Sequence, residues 1–409
     1  MEKFNQAAGL FVLTLILAIN VGAALFISKF PPPGSFSTLF PAKNPWVREG
    51  KFGYGICNGV QCRLCPWNCF LPEGTRGRCR VRINQGGKLK TLVYSKAVSV
   101  HLDPMEKKPV YHLYPGSLIY SLAAPGCNLR CKSCQNWEIS TIYPEEASAK
   151  SIVPVKINLV MDGLTRRIFG SLEHKEVETL APEDIVNYSL ATKSRSIAYT
   201  YSEPVVFYEY MLETAKLASE KGLKNVMISA GYINPGPLKE LLKYMDIVKI
   251  DLKGFNSRFY KEYVSGELEP VKNTLLELKK NNALFEIVNL VAPGLNDDEE
   301  SMKEMVLWIK KNLGKEVPVF FSRFSPNYQL QNIPATPVET LEKARNIALK
   351  EGLQYVYIGN VTGHPAEHTY CPRCKRVLIE RYGYAVLKDL LTPNKGRCPY
   401  DGAKIPGIW

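Results

Sequence analysis

APGCNLRCKSCQNW, at residues 124–137, carries three cysteines, Cys127, Cys131 and Cys134, in the spacing CxxxCxxC. Cysteine thiolates ligate iron–sulfur clusters, and a cubane [4Fe–4S] cluster needs one ligand for each of its irons. Three neighbouring cysteines therefore leave one iron without a protein ligand, and a cofactor can bind there. The alternative is a zinc site completed from elsewhere, which we disfavour because zinc knuckles usually come as paired CxxC units.

The run before this cluster loop (residues 124–137) predicts a buried strand, because it is apolar and a Pro-Gly pair follows it. Strand and helix patterns alternate beyond it, which is typical of βα units and a parallel sheet. Strands are predicted at 118–124, 197–202, 225–230, 247–252, 285–291 and 317–323, with an added last strand at 355–358. Helices are predicted at about 182–193, 204–221, 235–244, 267–281, 296–313 and 337–351. The expected fold class is α/β, with a partial, half-open (β/α)6 TIM-like barrel.

Polar residues at the carboxyl ends of barrel strands are site candidates. Ser202 and Glu203 follow the second strand, where a carboxylate can accept hydrogen bonds from the ammonium group of a ligand. An acid that only stabilises the next helix N-terminus is the alternative. The third strand ends at Ser229, near Gly231, which lets a ligand approach closely.

Charged residues end two further strands. Lys249, Asp251 and Lys253 share one face of the fourth strand, because side chains alternate along a strand. Three charges inside a barrel require one another or a ligand, and we favour a ligand. Arg323, at the end of the sixth strand, either neutralises a carboxylate, which makes it a candidate for contact with a cofactor, or closes the barrel floor.

A second set of cysteines, the N-terminal cysteine group, precedes the barrel. Its members are Cys62, Cys65, Cys69 and Cys79, with Cys57 as a spare nearby. Four reduced cysteines so close together predict a metal site. Their spacing does not separate zinc from an auxiliary iron–sulfur cluster.

A third set, the C-terminal cysteine group, lies in the tail. It consists of Cys371, Cys374, Cys398 and Asp401, which resembles a zinc ribbon with an aspartate as its fourth ligand. Aspartate binds zinc, and His364 and His368 are alternative ligands nearby in sequence. A ribbon without metal remains the other interpretation.

The N-terminus predicts a membrane anchor. Residues 4–28 carry no charge and are long enough for a helix to cross roughly 30 Å of hydrocarbon. A signal peptide would have a shorter apolar region and a more basic start. Lys29, Lys43, Arg48 and Lys51 follow the span, so we expect a single-pass protein of the cell membrane with its catalytic domain in the cytoplasm.

Three segments connect these parts. Residues 82–100 alternate apolar and polar residues across Gly86-Gly87 and predict a hairpin. Residues 103–112 are polar and predict a surface loop or a lid over the barrel mouth. Residues 155–169 show near-helical apolar spacing, which favours an amphipathic surface helix over a membrane-contacting element.

The predicted domains are an anchor (1–28), a linker (29–50), a Cys-rich extension (51–114), the barrel (115–362) and a ribbon-like tail (363–409). The chain has 409 residues, is 45% hydrophobic and carries a net charge of +13. Its basic residues are not gathered in runs, so the charge is weak evidence for nucleic acid or anionic lipid. Eleven cysteines at metal-ligand spacings indicate a reducing compartment.

From about residue 60 to 409 the chain resembles the radical S-adenosylmethionine (SAM) enzyme of the AmmeMemoRadiSam system, a relative of the pyruvate formate-lyase activating enzymes. The motifs that carry the resemblance are CxLCPxxC with Cys79, Glu106-Lys-Lys-Pro, the cluster loop, Tyr199-Thr-Tyr-Ser-Glu-Pro, Asp251-Leu-Lys253, Ser322-Arg-Phe-Ser-Pro and the terminal Pro-Gly-Ile-Trp. The N-terminal span, the insertion at 143–180 and Asp401 in place of a ribbon cysteine depart from the family pattern.

The resemblance implies that Cys127, Cys131 and Cys134 hold the cluster and that the methionine part of SAM chelates its open iron. It implies that Ser202 and Glu203 bind the methionine amino group, and that Asp251 and Lys253 line the cofactor pocket. The implied reaction is reductive cleavage of SAM to a 5′-deoxyadenosyl radical, with electrons from a flavodoxin- or ferredoxin-type donor. The substrate, whether small molecule, lipid or protein, is not readable from the sequence.

Other functions remain as alternatives. An activating enzyme would install a glycyl radical in a partner protein. A zinc-ribbon nucleic-acid-binding protein would explain the positive charge but not charges inside a barrel, so no nucleic acid is expected. A ferredoxin-like electron-transfer module would need a fully ligated cluster.

Overall fold

The computed structural model describes residues 44–161 and 168–409, with side chains described outside 158–171. The predicted anchor at residues 4–28 lies outside these ranges. Within them, no helix has the length and apolar character needed to cross a membrane.

Short antiparallel sheets form the N-terminal region. The strands are β1 (Arg48–Glu49), β2 (Gly53–Ile56), β3 (Gly59–Cys62), β4 (Phe70–Pro72), β5 (Arg82–Gln85) and β6 (Lys88–Thr91). They pair in the orders β1-β6-β5 and β2-β3-β4. The hairpin predicted across Gly86-Gly87 is confirmed for β5 and β6, and both glycines have positive φ, as its tight turn requires. The second strand of this hairpin, β6, ends at Thr91, whereas the predicted hairpin extends to residue 100.

One large sheet organises the remainder of the described chain. Its strands are β7 (Ser99–Pro104), β8 (Leu118–Ala123), β11 (Ser196–Tyr199), β12 (Lys224–Ser229), β13 (Ile247–Asp251), β14 (Phe285–Val291), β15 (Val319–Arg323) and β16 (Val356–Gly359), with β9 (Ser151–Met161) and β10 (Ile168–Val177) forming a separate hairpin. The order is β16-β15-β14-β13-β12-β11-β8-β7, and every pair is parallel except β7 with β8. The edges β16 and β7 do not pair, so the predicted half-open parallel barrel is confirmed.

Helices connect the parallel strands. Their bounds are Trp137–Ser140, Pro182–Ala191, Tyr208–Glu220, Pro235–Leu241, Ser257–Phe259, Leu268–Lys280, Glu299–Asn312 and Val338–Lys350, with short turns at Met105–Lys107, Pro204–Phe207, Tyr260–Val264 and Pro365–Glu367. Helix Glu299–Asn312 shows why they form. Asp298 caps it by accepting from the Ser301 N–H, acidic residues begin it and lysines end it. Met302, Met305, Val306 and Ile309 form its buried stripe.

The helix predicted at residues 155–169 is wrong. Its described residues lie in the antiparallel strands β9 and β10, whose register runs from Ser151 opposite Val177 to Met161 opposite Ile168. Isoleucines and valines dominate β9, and such β-branched side chains fit a pleated strand better than a helix. The apolar spacing of the sequence is therefore that of a strand.

Residues 103–112 form neither a surface loop nor a lid over the mouth. Asp103, Glu106, Lys108 and His112 are all buried. Because β7 runs antiparallel to β8 and pairs Pro104 with Leu118, this segment lies at the amino ends of the parallel strands. It forms the barrel floor, opposite the mouth where the carboxyl ends of the strands lie.

The C-terminal tail covers the same floor. The strands β17 (Thr369–Tyr370), β18 (Val377–Tyr382) and β19 (Ala385–Asp389) form an antiparallel sheet. Arg381 of this sheet and Glu106 of the floor are completely buried, and their Nε and Oε1 atoms lie 3.4 Å apart. The Ile408 N–H donates to the His112 carbonyl at 2.9 Å, which ties the end of the chain to the floor.

Candidate active site

The cluster loop leaves β8 at the barrel mouth and is held there by neighbouring strand ends. The Ser202 hydroxyl donates to the Ala124 carbonyl at 2.6 Å, and the Asn136 amide donates to the Tyr201 carbonyl at 2.9 Å. The turn Tyr260–Val264 supports its centre, because the Lys132 N–H donates to the Tyr263 carbonyl at 2.9 Å. These contacts fix the cluster loop in place. The Ser202 hydroxyl is therefore already used to hold the loop at Ala124.

The three sulfurs of the cluster loop do not all lie within 4.8 Å of one another. Cys127, Cys131 and Cys134 are half-buried. Among the described residues, only the C-terminal cysteine group brings three or more His, Cys, Asp or Glu ligand atoms within 4.8 Å of one another. Four sulfurs around one tetrahedral zinc lie about 3.8 Å apart, whereas the cysteines of a cubane cluster each bind a different iron. The spacing in the loop therefore fits a cluster.

Glu203 and Ser229 meet beside the loop. Glu203 is 4% exposed, and its carboxylate accepts from the Ser229 hydroxyl at 2.6 Å and from the Ala230 N–H at 2.9 Å. Burial raises the pKa of Glu203, while these donors oppose the rise. The pKa of Cys127 is also raised, first by burial and then by the negative charge of Glu203, which lies close by. Glu203 also accepts from the Val205 N–H, so the helix-capping alternative holds in part.

The charges at the end of β13 pair with one another. Asp251 lies 2.5 Å from the Lys249 ammonium and 3.5 Å from that of Lys253. One carboxylate thus faces two lysines, and the prediction that these interior charges meet a ligand stays a prediction. Burial alone would lower the pKa of Lys253, but the charges of Cys131 and Asp251 raise it. Lys253 is therefore close enough to Cys131 for their charges to interact.

Arg323 does not close the floor. It ends β15 at the mouth, and its Nε donates to the Thr336 carbonyl at 2.8 Å. No carboxylate of the described residues forms an ion pair with it. Its predicted contact with a cofactor stays a prediction.

The N-terminal cysteine group surrounds one pocket. All four sulfur-bearing residues line it together with Arg82 and Asn128. Cys62 and Cys79 are buried, whereas Cys65 and Cys69 are half-buried. No three of their sulfurs lie within 4.8 Å of one another, unlike the ligand atoms of the C-terminal cysteine group. Cys57 is exposed and does not line the pocket.

The C-terminal cysteine group is compact. Its four ligand atoms lie within 4.8 Å of one another, with 3.3 Å between Cys371 Sγ and Asp401 Oδ2. The two nearby histidines make other contacts, since His368 Nδ1 accepts from the Arg381 N–H and His364 Nδ1 accepts from the Ala366 N–H. Asp401 is thus the fourth residue of the group.

Sequence reasoning missed a buried ion pair that reaches the barrel interior from the floor. The Lys108 ammonium lies 2.5 Å from Asp103 Oδ2 and 4.1 Å from the centre of the Tyr201 ring, whose hydroxyl donates to Asp103. Burial lowers the pKa of Lys108 to about 8. The charged run Glu106-Lys107-Lys108 was the only sign of this ion pair in the sequence. The pairing of β7 with β8, which the sequence did not predict, is what brings Lys108 into the barrel interior.

Comparison with known proteins shows which family this region is similar to. The family model described as the radical SAM superfamily matches residues 122–306. The uncharacterized protein MJ0808 of Methanocaldococcus jannaschii is 42% identical over 348 residues, covering 85% of this chain and 95% of that protein. The pyruvate formate-lyase-activating enzyme of Clostridium pasteurianum is 24% identical over 168 residues, covering 39% of this chain and 70% of that enzyme.

Among solved structures, a radical SAM methyltransferase from Sphaerobacter thermophilus is similar with a TM-score of 0.44 and 12% identity. The match covers 61% of this chain and 68% of that one.

Proposed function

Because the chain belongs to the radical SAM superfamily, we propose that Cys127, Cys131 and Cys134 hold the [4Fe–4S] cluster at which this enzyme cleaves SAM. The observation that carries the proposal is the spacing of three half-buried sulfurs at the barrel mouth, wider than one ion allows. Glu203 lies beside them on one side, and Lys253 faces Cys131 on another.

The surrounding residues would bind and orient the cofactor. When bound, the cluster supplies one electron to SAM, which splits into methionine and a 5′-deoxyadenosyl radical that takes a hydrogen atom from the substrate. The Glu203 carboxylate, held by Ser229, would accept from the methionine ammonium group. Asp251 and Lys253 line the same mouth, with Asp251 between two lysines. Ser202 keeps the loop in register with these groups.

The finer assignment is the radical SAM enzyme of the AmmeMemoRadiSam type, supported by the motifs shared from about residue 60 onward. Activation of a partner protein by a glycyl radical is the alternative, supported by the name of the clostridial relative. An activating enzyme would take a hydrogen atom from a glycine of a partner protein and leave a stable radical there, whereas an enzyme for a small molecule or lipid would not. The electron donor we propose is a flavodoxin or ferredoxin.

Two further features belong to this proposal. Residues 4–28 would tether the enzyme to the cell membrane, with the barrel in the cytoplasm, as the basic residues after the span favour. The C-terminal cysteine group would hold one zinc ion, which its compact ligand set favours.

The test is anaerobic reconstitution with iron and sulfide, followed by dithionite and SAM, with 5′-deoxyadenosine as the product measured. The wild-type chain should form it, and Cys131→Ala should form none, since a cluster ligand is lost. Cys57→Ala is the matched control, because this cysteine is exposed and lines no pocket with the others. Product that persists in Cys131→Ala would contradict the assignment of the cluster.

A further inference from the structure

We infer that Cys62, Cys65, Cys69 and Cys79 hold a second iron–sulfur cluster, ligated by protein at every iron, that delivers electrons to the cluster loop. The site itself rests only on the geometry of the N-terminal cysteine group. Its role in electron delivery rests on the proposed function.

The first observation is the shape of the site. The four cysteines line one pocket, yet no three of their sulfurs lie within 4.8 Å of one another, as the ligand atoms of the C-terminal cysteine group do. Both Cys69 Sγ and Cys79 Sγ lie 3.7 Å from the point where a side chain on Gly77 would begin. A side chain on Gly77 would therefore be in contact with both sulfurs, and the glycine leaves the space between them unfilled. Four sulfurs spaced in this way suit a cubane cluster rather than one tetrahedral zinc.

The second observation is a buried donor in the same pocket. Arg82 is 1% exposed, and two of its hydrogen bonds go to the Glu209 carboxylate through one terminal nitrogen. Its Nε–H has no hydrogen-bond partner among the described residues. A buried donor without an acceptor is costly and rare. The sulfides and thiolates of a cluster would supply that acceptor, and the guanidinium charge would offset their negative charge.

The third observation is contact between the two cysteine-bearing loops. A side chain on Gly126, next to Cys127, would begin 3.0 Å from the Cys79 carbonyl oxygen, so the two backbones touch. Trp67, close to Cys65 in the sequence, donates its indole N–H at 2.7 Å to the carbonyl of Asn128 in the cluster loop. The Arg130 guanidinium adds a bond to the Arg78 carbonyl at 2.7 Å. Direct packing of this kind gives electrons a short path from one group to the other.

The outer side of the group faces solvent. Cys65 and Cys69 are half-buried, and Arg63 and Arg78 beside them are exposed. Arg78 also lies 3.9 Å above the centre of the Trp67 ring. A positive rim at a partly exposed redox site suits an acidic one-electron donor, because opposite charges steer encounter.

The electron count is simple. One electron moves from a donor of the ferredoxin or flavodoxin class to the second cluster and then to the cluster loop. It is consumed when the bond between the SAM sulfonium and C5′ breaks, which yields neutral methionine thioether and the 5′-deoxyadenosyl radical. No proton moves in these steps.

The first test removes the other cluster and leaves this group untouched. The variant Cys127→Ala/Cys131→Ala/Cys134→Ala is reconstituted anaerobically with iron and sulfide, and its metals are counted. We expect about four irons and four sulfides per chain, with a dithionite-induced paramagnetic signal that SAM does not alter. No iron, or zinc bound at these cysteines in its place, would overturn the second cluster. If iron remains here while the wild-type chain forms no 5′-deoxyadenosine, the proposed function fails alone.

The second test addresses electron delivery. In Cys65→Ala/Cys69→Ala, iron should fall from about eight to about four per chain, while the exposed Cys57→Ala should keep all of it. SAM cleavage driven by reduced ferredoxin or flavodoxin should fall at least about 10-fold relative to cleavage driven by dithionite. An unchanged ratio of the two rates would overturn the relay.

Discussion

The N-terminal and C-terminal cysteine groups contain the same kind of ligand but differ in geometry and place. The first lies at the barrel mouth, packed against the cluster loop through Gly126 and Cys79, and its sulfurs are spread around a pocket. The second lies in the sheet that covers the floor, and its ligand atoms lie within 4.8 Å of one another. Sequence spacing predicts that both bind metal, whereas the distances between ligand atoms separate a spread group at the mouth from a compact group at the floor.

Each group is also fastened to the barrel by a buried arginine. Arg82 places one terminal nitrogen 2.7 and 2.6 Å from the two carboxylate oxygens of Glu209. Arg381 lies 3.4 Å from Glu106 and also donates to Thr369 and to the Tyr111 carbonyl. The charge of Arg82 is therefore neutralised by one carboxylate, whereas Arg381 shares its hydrogen bonds among several acceptors.

The largest effect is expected from Glu209→Gln at the mouth. Removing the charge leaves Arg82 buried without its counter-ion, which should lower the free energy of unfolding by about 3–5 kcal/mol. Chemical denaturation measures this. Glu220→Gln, an exposed position on the same helix, is the control and should change little. A loss no greater than that of the control would mean that the pair does not fasten the mouth.

The next effect concerns pH and the floor. Glu286 is fully buried and accepts from the N–H groups of Tyr111 and His112, and burial raises its pKa from 4.5 to about 7. A raised pKa in the folded state means that the folded chain binds the proton more tightly than the unfolded chain. The free energy of unfolding should therefore fall as pH rises from about 4.5 to 7, on the order of 3 kcal/mol in total.

Denaturation of the wild type and of Glu286→Gln across this range checks the pH effect. The variant cannot ionise at this position, so its curve should lack that decline. Parallel curves for the two proteins would refute the role of Glu286.

A smaller effect is expected at the C-terminal cysteine group. Asp401→Asn weakens one ligand and should reduce zinc affinity by about 10-fold, or about 1.4 kcal/mol. Competition with a chromophoric chelator measures the affinity, and Tyr400→Phe in the same turn is the control. SAM cleavage should remain, because this group lies away from the mouth. Unchanged affinity would remove Asp401 from the ligand set.

The smallest effect is expected from Ser229→Ala. Glu203 would lose one hydrogen bond, worth about 1 kcal/mol, while keeping those from Ala230 and Val205. The SAM concentration for half-maximal cleavage should rise by about 5-fold, corresponding to that energy. The exposed Ser257→Ala should leave it unchanged. An equal response of both variants would show that Ser229 does not act through Glu203.

The sequence predicted local features well and remote ones poorly. The strand expected at 285–291 is found at Phe285–Val291, and the other parallel strands differ by a few residues at their ends. The positions of these strands can be predicted because the periodicity of apolar residues is a property of neighbouring residues. It misled at 155–169, where β-branched residues outweighed an apparent helical spacing.

The contacts that set the character of each site join residues far apart in the chain. Arg82 and Glu209 are separated by 127 positions, and Arg381 and Glu106 by 275. The antiparallel strand β7, which carries Asp103 and leads into the floor, was also not predicted. Neither of these two ion pairs leaves a pattern among neighbouring residues of the sequence. Likewise, only the folded chain shows that the N-terminal cysteine group is spread and the C-terminal one compact.

The most direct measurement of the central claim is magnetic resonance of the reduced chain with SAM labelled with ¹⁵N in its amino group. Using Cys65→Ala/Cys69→Ala leaves the cluster loop as the expected source of the iron signal. The account predicts coupling between the label and the reduced cluster, with loss of that signal when Cys134→Ala is added. A reduced cluster whose signal shows no coupling to the label would contradict an open iron held by Cys127, Cys131 and Cys134.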